Sequence, residues 1–390
     1  MTFIVDLEPI GRRMDVDAGL TLLEAAQKAG VDLVAACGGV GICGTCKLRL
    51  VRGQLTPLTE SEQEHLTPAE IADGFRLACQ AQPLSDLRVD IPRESLPAAQ
   101  QMQIDGREGE VHLEPSVWPF DLALDPPHIE DLRSDQARVQ AALAQADLPP
   151  AAADLSVWSQ VTHMLRGGEW HARLALRSMP GRVEIAGALP AGGALLGFAM
   201  DMGSTKLAAY LVDLRSGGTL ASGGVMNPQI AYGEDVVSRI AYANRGEEQR
   251  LALQTRLVDS ANALLAELCQ KAGAAPNQVV DAVVVGNTAM HHFFCGLPVA
   301  QLGAAPYVAS VSQALDIRAD EVGLRLAPGA RVHLPANIAG YVGGDHTSAL
   351  LTTQAYPMDH SLVLVDIGTN TEISLRLPDQ PFLTAVSCAS

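Results

Sequence analysis

Four cysteines stand out by type and spacing. Cys37, Cys43 and Cys46 fall within ten residues and Cys79 follows, giving C-x5-C-x2-C-x32-C. Thiols grouped in this way do metal or redox chemistry. A [2Fe–2S] centre takes four thiolates, three from one wrapped loop and one from a distant strand. Gly38, Gly39, Gly41 and Gly44 suit such a loop. They let the backbone curl tightly and expose N–H groups to anionic sulfur. A structural zinc site normally wants two C-x-x-C pairs, and this chain has one. Four unrelated core thiols would need neither the glycines nor the spacing. Cys37, Cys43, Cys46 and Cys79 are therefore the candidate metal ligands. Cys269 and Cys295 read as core thiols, and Cys388 has no readable role.

A second chemistry is written in two turns. Asp201-Met202-Gly203-Ser204-Thr205-Lys206 and Asp366-Ile367-Gly368-Thr369-Asn370 each follow an apolar strand and precede another strand. A D-x-G-[ST] turn offers backbone N–H groups and hydroxyls to phosphate oxygens, and its Asp can hold Mg²⁺ through water. One such turn is common in ordinary loops. Two at matching places suggest a duplicated strand–turn–strand unit facing one ligand. Lys206 reads either as a phosphate contact or as a solvated strand-edge lysine. Asp345, after Gly343 and Gly344, reads as a further Mg²⁺-side carboxylate or as a plain helix cap. His291 and His292 follow a buried strand; a helix start capped by Asn287 or Thr288 explains them better than a metal site.

The elements that position these residues follow from periodicity. Residues 1–16 predict a β-hairpin, and a helix from Leu20 ends at Gly30. Residues 37–46 form the cysteine loop, and strands over Lys47–Val51 and Arg88–Pro92 complete a unit over 1–93. Residues 94–127 carry Pro97, Pro115, Pro119, Pro126 and Pro127 with little periodicity and read as a linker. Residues 128–192 predict a small α/β segment, with helices over Ser134–Ala146 and Asp154–Leu165 and strands over Arg173–Leu176 and Arg182–Ile185. From 193 to 390 the pattern is αβ, with a long helix over 247–272 and a buried strand over Asp281–Val285. The length of 390 residues suits two or three domains. The net charge is 27 − 44 = −17, which argues against nucleic acid or an anionic membrane as partner. No apolar run is long enough for a membrane span, and the start lacks the basic and apolar segments of a signal peptide, so the cytoplasm is expected.

The first unit resembles [2Fe–2S] ferredoxins of the β-grasp type; five residues between the first two cysteines is closer to the adrenodoxin-like than to the plant-type spacing. The two Asp turns together resemble the phosphate-1 and phosphate-2 loops of the actin-like (ribonuclease H-like) ATPase superfamily. That resemblance implies nucleotide contacts from Gly203, Ser204, Thr205, Lys206, Asp345, Gly368, Thr369 and Asn370, with Asp201 and Asp366 as the catalytic carboxylates. The whole order, with the strings VVVGNTAMHH, GYVGGD and LVDIGTNTE, resembles the reductive activators of corrinoid-dependent methyltransferases. The resemblance implies an α+β and α/β multidomain chain: a ferredoxin domain over 1–93, a linker over 94–127, a middle domain over 128–192 and an incomplete actin-like ATPase domain over 193–390. It implies ATP-dependent one-electron reduction of a Co(II) corrinoid protein to Co(I), with a [2Fe–2S] cluster and Mg-ATP as cofactors. It also implies a low-potential electron donor and a homodimer. For a one-electron couple, about 59 mV corresponds to a tenfold change in equilibrium, so a small shortfall in potential is reason enough for ATP. An actin-like ATPase needs an adenosine-binding element beyond the second turn, so the resemblance implies a longer chain than one stopping at Ser390. A plain ferredoxin-type electron carrier with an actin-like binding or dimerisation module is the alternative.

Overall fold

The computed structural model describes residues 2–8, 10–96, 113–353, 359–368, 371–378 and 380–387. These residues build four sheets in three units. The first unit runs β1 (Thr2–Glu8), β2 (Arg12–Asp17), α1 (Leu22–Lys28), β3 (Lys47–Arg52), α2 (Glu60–His65), α3 (Pro68–Ala72), β4 (Phe75–Leu77) and β5 (Leu87–Asp90). Its sheet order is β2-β1-β5-β3-β4, with β1 and β5 parallel. The predicted hairpin and first helix are both present. The alternation of β1 turns Val5 and Leu7 inward onto Leu22, Leu33, Leu48, Leu77 and Val89. Helices α2 and α3 were not anticipated. Each opens with a capping box, Thr59 with Glu62 and Thr67 with Glu70. Glu62 is fully buried and takes Arg76 Nε and Nη2 at 2.7 and 2.9 Å and Leu77 N at 3.1 Å. That fork ties α2 to the strand leading into Cys79.

The middle unit runs β6 (Val117–Ala123), α4 (Asp135–Gln145), β7 (Ala151–Ala152), α5 (Leu155–Gly167), β8 (His171–Met179) and β9 (Arg182–Leu189), in sheet order β6-β8-β9-β7. The linker reading of 94–127 is corrected here. Val117–Ala123 pairs along its whole length with β8. Pro119 is accommodated because β6 is an edge strand, where a missing N–H costs no ladder bond. Residues 97–112, including Pro97, lie outside the described residues. Helices α4 and α5 cover one sheet face through Val139, Leu143, Val157, Val161 and Leu165. Val117, Ala175, Ala186 and Leu189 on the other face join the core of the third unit.

The third unit contains β10 (Leu196–Met202), β11 (Lys206–Asp213), β12 (Thr219–Met226), α6 (Val236–Ala243), α7 (Glu247–Lys271), β13 (Val279–Gly286), α8 (Thr288–Phe294), β14 (Leu315–Arg318), β15 (Arg331–Leu334) and α9 (Gly344–Thr352). Its sheet order is β12-β11-β10-β13-β15-β14. A smaller sheet follows, β16 (Leu362–Ile367), β17 (Thr371–Arg376) and β18 (Leu383–Ser387). The predicted strand–turn–strand pairs are β10–β11 and β16–β17, both antiparallel. The middle and third units are pinned by Arg177 to Asp281 at 2.8 Å and by Arg331, whose fork grips Glu184 at 2.9 and 2.8 Å.

Candidate functional site: a thiol loop and an acidic cluster on touching units

The cysteine loop leaves α1 and returns into β3, and Gly38, Gly39, Gly41 and Gly44 all have left-handed backbone. A Cβ on Gly41 would stand 2.7 Å from the side chains of Gln80 and Ser61. The curl therefore needs glycine above all for its left-handed backbone. Cys37 and Cys43 bring their sulfurs to 3.2 Å, and Cys46 hydrogen-bonds Cys79. No three His, Cys, Asp or Glu side chains among the described residues gather around a single ion position. The thiols stand instead as two pairs, the division a two-iron cluster needs and a single tetrahedral zinc does not.

The donor set has the right electrostatics. Burial pushes the Cys37 thiol up, but the contact with Cys43 and the N–H groups of Ile42, Gly41 and Gly39 outweigh it and hold it below its ordinary value. Cys79 is drawn down to about 7, chiefly by the hydrogen bond from Cys46, against the opposing effect of burial. Cys46, sharing that proton and buried, is pushed far up. Cys43 Sγ also meets Thr45 Oγ1 at 3.1 Å. The four predicted ligands thus stand as two adjacent thiol pairs, Cys37 with Cys43 and Cys46 with Cys79.

The first Asp turn joins β10 to β11. A Cβ on Gly203 would lie 2.6 Å from Lys206 O, so the bend needs glycine. Asn227, buried, pins it by donating Nδ2 to Gly203 O at 2.8 Å, while its own N–H reaches Thr205 O at 2.9 Å. Lys206 is half-buried on a strand inside the sheet, which removes the edge-lysine reading. The second turn joins β16 to β17 and sets Asp366 directly opposite Glu372. Gly368 is exposed beside it; Thr369 and Asn370 lie outside the described residues, as does Cys388.

Asp345 enters from α9. The cap of that helix is Gly343, whose added Cβ would stand 2.1 Å from Gly286 O, so the helix start abuts the end of β13. Asp345 therefore does not cap. Its Oδ1 accepts the His346 N–H at 2.8 Å and its charge faces Asp201 and Asp366. Water reaches Asp201, yet its walls are protein. Burial first, then Asp345 and Asp366, push its carboxyl up to about 7. Burial and Asp366 raise Asp345 to about 6 against the pull of the His346 N–H, and burial with the same two aspartates raises Glu372 to about 7. Asp201, Asp345 and Glu372, each raised by burial and by neighbouring carboxylates, mark a site short of positive charge. A hydrated divalent cation, which keeps several of its waters, suits an open cleft of this kind.

Sequence reasoning missed Glu372 and His346. Glu372 is placed by register alone. His346 is buried; its Nε2 meets Ser374 Oγ at 2.7 Å, and its Nδ1, with no hydrogen-bond partner, points toward Asp366 Oδ2 at 3.7 Å. The histidine pair is structural, as read. Asn287 caps α8 by accepting Met290 N, and His292 is held between Thr288 O at 2.7 Å and Ser310 N at 3.0 Å. Burial and His292 lower His291 to about 4.

The two sites sit on touching units. Glu234 N–H donates to Ala36 O at 3.1 Å, Arg245 Nη2 to Gly38 O at 3.0 Å, and Gln27 Nε2 to Ala231 O at 2.7 Å. Arg256 pairs with Asp32 at 3.2 Å. A Cβ on Gly38 would lie 2.8 Å from Tyr232 O, so the docked loop leaves no room for a side chain there.

Residues 5–84 match the 2Fe-2S iron-sulfur cluster binding domain, so the paired thiols and the sheet define an iron–sulfur protein. Residues 106–190 match the RACo linker region and 196–358 the RACo middle region. With these three in order, the chain carries a 2Fe-2S domain followed by the RACo linker and middle regions, and it is similar to named corrinoid activators. It is 31% identical over 195 residues to the corrinoid activation enzyme RamQ of Eubacterium limosum, over 50% of this chain and 32% of the relative. The first unit is 43% identical over 89 residues to an aromatic O-demethylase reductase subunit of Amycolatopsis sp. (23% of this chain, 25% of the relative). A solved reductive activator for corrinoid,iron-sulfur protein superposes over 98% of this chain and 63% of its own length, at TM-score 0.60 and 29% identity. The chain thus spans less than two thirds of either activator's length. Among the described residues no helix is long and apolar enough to cross a membrane.

Proposed function

We propose that this chain is part of an ATP-dependent activator that returns a Co(II) corrinoid protein to Co(I) by one electron. The observation that carries the reading is the thiol loop seated directly on the unit that holds the acidic cleft. The similarity to RamQ and to the solved activator supports a corrinoid protein as partner. When bound by Cys37, Cys43, Cys46 and Cys79, a [2Fe–2S] cluster supplies one electron at a time. Asp201, Asp345 and Asp366 would hold a hydrated Mg²⁺, and Gly203 and Gly368 would admit the phosphates close to backbone. Ser204, Thr205, Lys206, Thr369 and Asn370 complete the phosphate contacts of an actin-like ATPase domain over 193–390, with Asp201 and Asp366 serving hydrolysis. A low-potential donor, a homodimer and a cytoplasmic setting belong to the same reading.

The test uses the purified holoprotein, dithionite and a Co(II) corrinoid methyltransferase subunit, with Co(I) followed by absorbance. Co(I) that forms only with Mg-ATP supports the proposal. Equal Co(I) without ATP replaces it by the electron-carrier reading, which the exposure of Val40 and Ile42 at the tip of the thiol loop favours as a simple docking face.

A further inference from the structure

Arg239 on α6 is a fully buried arginine. Its Nε donates to Gly233 O at 2.8 Å, its Nη2 to Ser204 O at 2.5 Å and Glu234 O at 3.3 Å, and its Nη1 lies 3.7 Å from Met290 Sδ. Carbonyl dipoles and a thioether solvate this cation, and none of the ion pairs among the described residues includes it. A buried cation whose hydrogen bonds all go to neutral groups, with Asp235 the one carboxylate that acts on it electrostatically, is costly and projects a field into its surroundings. Burial, opposed only by Asp235, pulls its pKa down to about 10, so it stays protonated at neutral pH.

Its two sides face the two sites. Ser204 belongs to the Asp201–Lys206 turn. Glu234 donates its N–H to Ala36 O, and Ala36 immediately precedes Cys37. The Ala36 N–H in turn donates to Thr45 Oγ1 at 3.1 Å, the hydroxyl that meets Cys43 Sγ. One guanidinium therefore joins the phosphate-facing turn to the peptide between two cluster-ligand environments.

We propose that Arg239 is a positioning residue that couples the two sites: a phosphate at the Asp201–Lys206 turn and an electron on the cluster draw on the same buried cation, so each disfavours the other. The inference rests on the nucleotide reading given above. Nucleotide binding then makes the cluster a stronger reductant. By linkage, reduction weakens nucleotide binding by the same factor. A factor of about three is expected, which at about 59 mV per tenfold lowers the reduction potential by about 28 mV.

The experiment uses the holoprotein under anaerobic conditions with Mg-ADP as probe. Calorimetry measures its affinity for the oxidised and the dithionite-reduced protein, and a redox titration followed by electron paramagnetic resonance measures the potential with and without it. About threefold weaker binding to the reduced form, with the matching fall in potential, is the expected result. Equal affinity in both redox states overturns the coupling. In Arg239→Met the factor falls to one. Should that variant not fold, Arg239→Lys serves, since a single ammonium does not span Ser204 O and Gly233 O together. A factor that stays at three in the folded variant overturns the role of Arg239. Absence of Mg-ADP binding in either redox state sinks the nucleotide reading first, and the coupling with it.

Discussion

The thiol loop and the acidic cleft are built in opposite ways. Three of the four thiols come from one ten-residue curl, and the curl supplies its own N–H donors. The cleft draws Asp201, Asp345, Asp366 and Glu372 from the end of β10, the start of α9 and the two sides of the β16–β17 turn. The loop is a local object that its sheet only has to hold. The cleft exists only through tertiary topology, and its like charges repel one another. The difference predicts that the two sites fail separately, and by different routes.

The largest effect expected is from Cys43→Ser, which removes one ligand of a pair. The visible absorption of the cluster and its reduced-state paramagnetic signal should be lost or strongly shifted, while Mg-ADP binding to the oxidised-state protein stays within about twofold of wild type, as for a distant site. An unchanged spectrum would take Cys43 out of the ligand set. Glu62→Ala comes next. It leaves Arg76 buried without its carboxylate, which costs about 3–5 kcal/mol for a broken buried pair. Thermal unfolding monitored at the cluster should move down sharply, with the cleft's nucleotide affinity unchanged; a joint loss would mean the units unfold as one. Asp366→Ala should weaken Mg-nucleotide binding by about tenfold, some 1.4 kcal/mol, with the cluster spectrum intact. Equal binding would remove Asp366 from the site.

The smallest effect is one of pH. Asp201, Asp345 and Glu372 have raised folded-state pKa values, about 7, 6 and 7. The folded protein therefore holds more protons than the unfolded chain between about pH 4 and pH 7. Stability contributed by these groups falls as pH rises through that window, and Mg²⁺ affinity rises with it. In metal-free protein, Asp201→Asn should raise the melting temperature at pH 8 by about 1–2 °C and leave it unchanged at pH 4, a small effect because water reaches this carboxylate. A gain of equal size at both pH values would show that the charge is not the cause.

What was legible in the sequence follows the same division. The cysteines, the hairpin and α1 were readable because spacing, glycines and the Gly30 stop are all local; the Thr21–Glu24 cap that starts α1 was not read. Helices α2 and α3 were overlooked although Thr59-x-x-Glu62 and Thr67-Pro68-x-Glu70 announce them. Strand β6 was hidden by its proline, because whether Pro119 breaks a strand depends on whether that strand is an edge. Asp201 and Asp366 were found through their repeated turn. Glu372, His346 and Arg239 carry no local pattern; they matter through cross-strand register, a helix start and a buried cation, all set by the third dimension.

Gly38 carries a consequence for recombination between ferredoxin domains. Its left-handed backbone serves the curl, while its missing side chain lets Tyr232 O come close. A free-standing ferredoxin with asparagine at this position would tolerate the backbone angle and still assemble its cluster. Grafted onto this chain it would carry the electron centre on a loosely tethered head. Such a chimaera would pass every spectroscopic check and lose its fixed seat on the rest of the molecule, so compatibility at this joint is invisible to assays of either half alone.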